Sequence, residues 1–350
     1  MTRPDQTRPD QTATHVRNSS LELLRIIAML LIVADHAFLH GGFTFPNNTI
    51  TINRLWLQLM IMGGNIGNDI FVLLSGYFLI NSSEINYHRL FKFWLKIFFY
   101  SIAIYCLLAL SGLATFSLRS LFFAARPVTK FTWWFASTYF ITYLIHPYIN
   151  TMIKALSRKD CTKFVKTLVI LWCIVPVLGK TSFGANSTIN FICVYCIAAY
   201  IRLYAPDFKG RKYIWPGLLC ILMNFLSIIA LDFVNMKANI VSSYYFTGMM
   251  GPFTILGCVC LFAGFRGLDI PHSEIINLIA SATFGVYLIH ENRFVNHFLR
   301  YTVFKNAAFQ DSPYLIPYSI AVILTVYISC TVIELIRAKI FRTISGGRLS

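Results

Sequence analysis

Arg25 and His36 stand eleven residues apart in an apolar run that extends from about residue 21 to 40. A charged side chain within such a run costs at least a few kcal/mol unless it faces protein, water or a partner. At about 100° per residue, that separation comes within roughly 20° of three full helical turns. The two side chains therefore share one helix face, about 16 Å apart along the axis. Histidine titrates near neutral pH and suits general-base chemistry, and arginine offers a forked donor to phosphate or carboxylate. The pair fits a reaction in which an anionic donor meets Arg25 while an acceptor waits at the depth of His36. For either residue alone the plainer reading is a snorkelling arginine and an interhelical histidine hydrogen bond. Asp35, about 100° around the helix from His36, is expected to face elsewhere, toward a polar outer mouth. Glu22 lies three residues after Ser19, the spacing of a capping box, which gives it a structural task as well as a place near Arg25.

The elements that must hold these residues are helices in a membrane. The chain has 350 residues, 57% hydrophobic and 13% charged, whereas soluble domains carry roughly a quarter charged residues. A soluble enzyme of this length needs far more polar surface. The net charge of +16 suggests nucleic acid only if a basic face is interleaved with exposed polar residues. Here the basic residues sit between apolar runs, so they read as topology determinants and no nucleic-acid partner is expected. Most of the nine cysteines lie in apolar runs, where they behave as small hydrophobes. Cys193-x-x-Cys196 has redox or metal spacing but no second pair, which favours packing. No secretory signal opens the chain: a polar stretch with the direct repeat Thr2–Gln6 and Thr7–Gln11 comes first, and residues 1–17 read as a disordered cytoplasmic tail.

A spanning helix needs about 20 mostly apolar residues. Ten candidates meet this, near 21–40, 57–80, 91–113, 132–153, 164–179, 188–204, 214–234, 247–265, 275–292 and 314–336, the fifth and sixth being the shortest. With the N-terminus in the cytoplasm, Lys and Arg divide roughly two to one in favour of the inner side. An even number of spans returns the C-terminus inside. The expected fold is all-α, a polytopic membrane helix bundle of about ten transmembrane helices with both termini cytoplasmic. One domain over 18–340 is expected, with a short basic cytoplasmic tail at 341–350. No motif demands a metal: His146 is followed by Pro147 and has no ligand at suitable spacing. No phosphate-binding glycine loop supports ATP-driven transport.

Three blocks carry a resemblance. The first is Leu21-Glu-Leu-Leu-Arg-Ile-Ile-Ala-Met29 running into Asp35-His36, with His40-Gly-Gly42 beyond. The second is Asn68-Asp-Ile-Phe-Val-Leu-Leu-Ser-Gly-Tyr-Phe78. The third is Thr283-Phe-Gly-Val-Tyr-Leu-Ile-His-Glu-Asn292. In this order, and over about residues 18 to 337, the chain resembles the bacterial acyltransferase-3 family, close to the branch of Gram-positive exopolysaccharide and cell-wall O-acetyltransferases. The resemblance implies a multi-pass protein of the bacterial plasma membrane that moves an acyl group, acetyl above all, from cytoplasmic acyl-CoA to a hydroxyl of a surface or exported glycan. Polysaccharide biosynthesis proteins are the expected partners besides the bilayer and the glycan.

Carried onto this chain, the resemblance implies His36 as catalytic base or direct acyl carrier, with Arg25 and Glu22 beside it in the catalytic set. Arg25, Arg89, Lys92, Lys96 and Ser75 are implied for acyl-CoA. The basic residues among them also read as positive-inside anchors, and Ser75 with Gly76 as a close helix contact. Asp35, Asp69, Tyr77, Tyr287, His290 and Glu291 are implied on the acceptor or supporting side, His290 with Glu291 orienting an acceptor or hydrogen-bonding His36. Asp69 departs from the family pattern, because Asn68 precedes it where a small apolar residue is common. The competing class is a polysaccharide or small-molecule transporter that uses the same intramembrane Arg and His. The absence of an inverted repeat and of paired broken helices counts against it.

Overall fold

The computed structural model describes residues 17–46, 49–238 and 242–344, and the regular structure among them is entirely helical. Each apolar run becomes a helix. α1 (Ser19–Leu39) is followed by α2 (Ile52–Leu79), α3 (Tyr87–Leu110), a short α4 (Leu118–Ala124) and α5 (Trp134–Ala155). α6 (Arg158–Val169) continues through a π turn at Ile170–Ile174 into α7 (Val175–Gly179). Then come α8 (Ser187–Tyr204), α9 (Ile214–Lys237), α10 (Pro252–Arg266) and α11 (Glu274–His290). A short α12 (Arg293–His297), a π turn at Phe298–Val303 and a 3-10 turn at Asn306–Phe309 lead to the long α13 (Leu315–Ile344).

Six stretches are long and apolar enough to cross a membrane: α2, α3, α6 with α7, α8, α9 with the turn before it, and α13. α10 and α11 are shorter apolar helices. α1 has the length, but Glu22, Arg25 and Asp35 load it with charge. Large apolar side chains face outward around the bundle, Leu110 at 87%, Leu178 at 79% and Trp215 at 76% exposed among them. A surface of that kind needs a lipid solvent, so the chain is a multi-pass membrane protein. The boundaries differ most from the sequence-based expectation at two places. The fifth run begins at Arg158 rather than near 164, because its polar first turns extend an apolar helix past the membrane edge. α13 runs to Ile344 and absorbs the start of the expected tail. The tail at 1–16 with its repeat, and residues 345–350, lie outside the described residues.

α1 is the seam of the bundle, packed on α2, α10, α11 and α13. Leu24 and Ala28 join one core with Ile66, Ile70 and Leu73 of α2, Val194 of α8 and Phe262 of α10. Ile32 and Val33 join a second core with Val286 and Leu288 of α11, Val322 of α13 and Tyr100 of α3. The α1–α2 contact is set by small residues. A side chain added at Gly67 would stand 2.5 Å from the Ala28 carbonyl and 2.7 Å from Ile32 Cγ1, and one at Gly64 would strike the Asp35 carboxylate.

The start of α1 corrects the capping-box expectation by one residue. Asn18 is the cap, its side chain accepting from the Ser20 and Leu21 amides at 3.0 and 3.2 Å. That frees Ser19 and Ser20 to reach the chain before α11: Ser19 Oγ accepts from the Ser273 amide at 2.9 Å and Ser20 Oγ donates to the Leu268 carbonyl at 2.8 Å. His146 also finds a structural task. Pro147 has no N–H for the Tyr143 carbonyl four residues back, and His146 Nδ1 takes that carbonyl at 2.6 Å. Cys193 and Cys196 are buried free thiols, in keeping with packing.

Forcing a β-branched side chain between α1 and α2 overpacks the seam at a cost of about 1–3 kcal/mol. Gly67→Val is expected to lower the thermal unfolding midpoint of the detergent-solubilised protein. Gly248→Ala, where an added Cβ meets nothing within 4 Å, is expected to leave it unchanged.

Candidate active site

The end of α1 and the end of α11 meet in a buried cluster of titratable groups. His36 is 6% and His290 4% exposed. His36 Nδ1 lies 3.1 Å from His290 Nε2 and 3.0 Å from Glu291 Oε2, and His36 Nε2 lies 3.9 Å from Asp35 Oδ2. The tautomers follow from these neighbours. His290 Nδ1 lies 2.6 Å from the Val286 carbonyl, which can only accept, so it carries the proton and leaves Nε2 as an acceptor. His36 Nδ1 then faces two acceptors, His290 Nε2 and the Glu291 carboxylate, and must be the donor. The free lone pair of His36 is on Nε2. A carboxylate on one imidazole nitrogen and a lone pair on the other is the arrangement that makes histidine a general base and stabilises its protonated form.

The same three residues each offer one ligand atom within 4.8 Å of the others, a donor set that suits a divalent metal by composition. His36 Nδ1 is the atom shared by the cluster, within hydrogen-bond reach of both His290 Nε2 and Glu291 Oε2. Asn296 Nδ2 donates to Glu291 Oε2 at 3.0 Å and fixes the carboxylate.

Arg300 completes the cluster. It is 5% exposed and sits in the π turn Phe298–Val303, a geometry often found where a functional side chain is aimed. Burial pulls its guanidinium down to about 10, opposed by Glu291, Tyr301 and Asp35, so it stays cationic at neutral pH. The segment that carries it is tied to α1: Asn306 Nδ2 donates to the Ala37 carbonyl at 2.7 Å and Tyr301 Oη to the His40 carbonyl at 3.0 Å. His36, His290, Asn296 and Arg300 line a small cavity of about 20 Å3, room for one water-sized group. Asn296 and Arg300 also line an outer cleft of about 890 Å3.

Arg25 lies at the other end of α1. Its Nη1 holds Glu22 at 2.7 and 3.0 Å, so Glu22 neutralises Arg25 instead of closing a capping box. Arg25 and Arg89 both act electrostatically on Tyr139. Lys96 is placed differently. Its Nζ lies 2.6 Å from Glu334 Oε1, and Glu334, 2% exposed, also takes Arg337 at 2.8 Å and the Tyr100 hydroxyl at 2.5 Å. That network joins α3 to α13 and commits Lys96. Lys92 is half-buried on the same helix and Arg89 is exposed.

The second block of the sequence does not join the histidine cluster. Asp69 is fully buried near the Met250 backbone. Ser75 Oγ donates to its own helix at the Phe71 carbonyl, 2.8 Å away. Tyr77 accepts from Arg202 Nη1 at 2.6 Å and stacks beneath Arg266. Tyr287, by contrast, is buried with its ring centre 6.4 Å from that of His36, and Asp35 packs on Gly64 beside the cluster. Sequence reasoning missed Asn296 and Arg300, which lie in an irregular connection without periodicity. It also missed Glu334 and Asp232, although each is an acid in an apolar run and the argument used for Arg25 would have found them. Asp232 is fully buried and holds Arg54 at 2.7 Å and Gln58 at 2.8 Å.

A buried histidine beside a carboxylate, where two helix ends of a membrane protein meet, is an arrangement that can support general-base chemistry. Comparison with known families agrees: the model of the acyltransferase domain matches residues 18–334. The chain belongs to the acyltransferase-3 family and is a membrane acyltransferase. No curated protein and no solved structure matched it.

Removing one member of a buried ion pair strands the other, at about 3–5 kcal/mol. Glu334→Ala, which leaves Lys96 and Arg337 without their acid, is expected to depress thermal stability in detergent. Glu22→Ala, at the more open end of α1, is expected to depress it much less.

Proposed function

We propose that the protein is an O-acyltransferase that takes an acyl group, acetyl in the simplest case, from cytoplasmic acyl-CoA and delivers it to a hydroxyl of a surface or exported polysaccharide. The observation that carries this is the pinned His36, whose Nδ1 is held by His290 and Glu291 while Nε2 keeps its lone pair. In the proposed step His36 Nε2 takes the acceptor hydroxyl proton as the oxygen bonds to the thioester carbonyl carbon. The tetrahedral oxyanion collapses, the C–S bond breaks, and the departing thiolate recovers the proton from His36. Glu291 offsets the positive charge on the imidazole meanwhile, and Arg300, which lines the small cavity at His36, is a cation available to the oxyanion.

The proposal includes ten spans with both termini in the cytoplasm of a bacterial cell, which the distribution of Lys and Arg supports. In that orientation Arg25 and Arg89 are at the cytoplasmic end, suited to the phosphates of the donor, and His36 is toward the outer half. The acyl group then moves along α1 by about 16 Å. Acceptor chains are supplied by the polysaccharide biosynthesis machinery.

The test is transfer of radiolabelled acetyl from acetyl-CoA to a glycan acceptor by purified protein in liposomes. His36→Ala is expected to reduce labelling by about 10²–10⁴-fold, and Glu291→Gln to reduce it less while shifting the pH profile, since the imidazolium loses its counter-charge. Undiminished labelling by His36→Ala would overturn the mechanism. Solute flux across the liposome without labelling would replace it with transport.

A further inference from the structure

The outer cleft beside the histidine cluster differs in charge from what a neutral sugar requires. Its wall is formed by α12 and the π turn after it, together with His40 at the end of α1, and it brings Arg293, His297, Arg300 and His40 to one opening. The one carboxylate on that wall is Glu291, which is committed to Asn296 and His36. Neither Arg293 nor Arg300 forms an ion pair among the described residues. Buried cations elsewhere in the bundle are matched: Arg54 has Asp232 and Lys96 has Glu334. Arg300, 5% exposed, is the exception, and it faces both the cleft and the small cavity at His36. A guanidinium held in that way lacks a bidentate anion of the carboxylate or phosphate type. Phe294 and Tyr301 line the same cleft and offer apolar faces to a sugar or polyol backbone. Its volume of about 890 Å3 lies at the upper end of the roughly 300–1,000 Å3 typical of small-ligand sites, suited to a chain segment more than to a single small alcohol.

We propose that the acceptor is an anionic polyhydroxylated polymer, bearing a phosphate or carboxylate next to the hydroxyl that is acylated, and that Arg300 and Arg293 bind that anion in the outer cleft. This rests on the reading of His36 as the base for hydroxyl acylation. The anion fills the gap left in the charge pairing of the site, and it anchors the neighbouring hydroxyl at His36 Nε2. Arg300 is thus a specificity-determining residue as well as part of the active site, and Arg293 is a rim contact.

The test separates binding from transfer. Full-length protein in nanodiscs, without donor, is titrated with two matched pairs: an oligogalacturonate against its neutral methyl ester, and a glycerol phosphate oligomer against an uncharged oligoglycerol. The expected result is at least about tenfold tighter binding of one charged member than of its neutral partner, a difference of about 1.4 kcal/mol. Which pair shows it identifies carboxylate or phosphate as the recognised group. Arg293→Gln and Arg300→Gln are expected to remove most of that preference, and Arg300→Lys to keep part of it and report that the cleft is folded. Equal binding within both pairs, or a preference untouched by both substitutions, would overturn the proposal. The same ligands in the acetyl transfer assay keep the two readings apart. Charged ligands that bind selectively but are never labelled count against the acylation reading and leave the anion site standing. Neutral ligands labelled with the same KM as charged ones count against the anion site alone.

Discussion

Lipid gives no hydration to a charge, so an ionisable side chain inside this bundle is costly unless protein supplies its counterpart. That requirement organises the structure. Arg25 is answered by Glu22, Arg54 by Asp232, Lys96 and Arg337 by Glu334, and His36 by His290 and Glu291. Three of these pairings, at Arg54, Lys96 and His36, cross between helices distant in sequence and hold the bundle in register. The pair on Arg25 is local, one turn of α1, and stays partly open to a ligand.

α1 links the two cores, burying Leu24 and Ala28 in one and Ile32 and Val33 in the other, and α2 runs beside it through both. Its position depends on α2 coming close enough to leave no gap, which Gly63, Gly64 and Gly67 permit. Gly64 also leaves the space that Asp35 occupies, so the same glycine segment that packs the seam sets one wall of the histidine cluster. Packing and chemistry are coupled there: a bulkier α2 would move Asp35 and His36 together.

The histidine cluster is divided between regular helices and an irregular segment. His36 and His290 come from the last turns of two regular helices, and their ring orientations are set by partners at 2.6–3.1 Å. Asn296 and Arg300 come from the short α12 and a π turn, where the backbone departs from the regular ladder and can aim a side chain at a helix end. The outer cleft opens on that irregular side, where substrate specificity can vary without disturbing the base.

The sequence by itself determined the helices and the helix face shared by Arg25 and His36. Apolar run length sets a helix, and a spacing of eleven residues sets Arg25 and His36 on one face of α1, because both are local consequences of helical geometry. Even so, the local signals erred by one residue at the cap of α1 and by more than a turn at α6 and α13, where capping and polar flanking turns depend on neighbours. Only the tertiary structure decided which groups meet. His36 and His290 are 254 positions apart, and no periodicity connects them. The same holds for Lys96 and Glu334, whose pairing turned an expected donor-side cation into a helix tie, and for Arg300, hidden in a connection with no pattern. A side chain's role in this bundle depends on the partner that matches its charge, and that partner is chosen by packing across the whole fold.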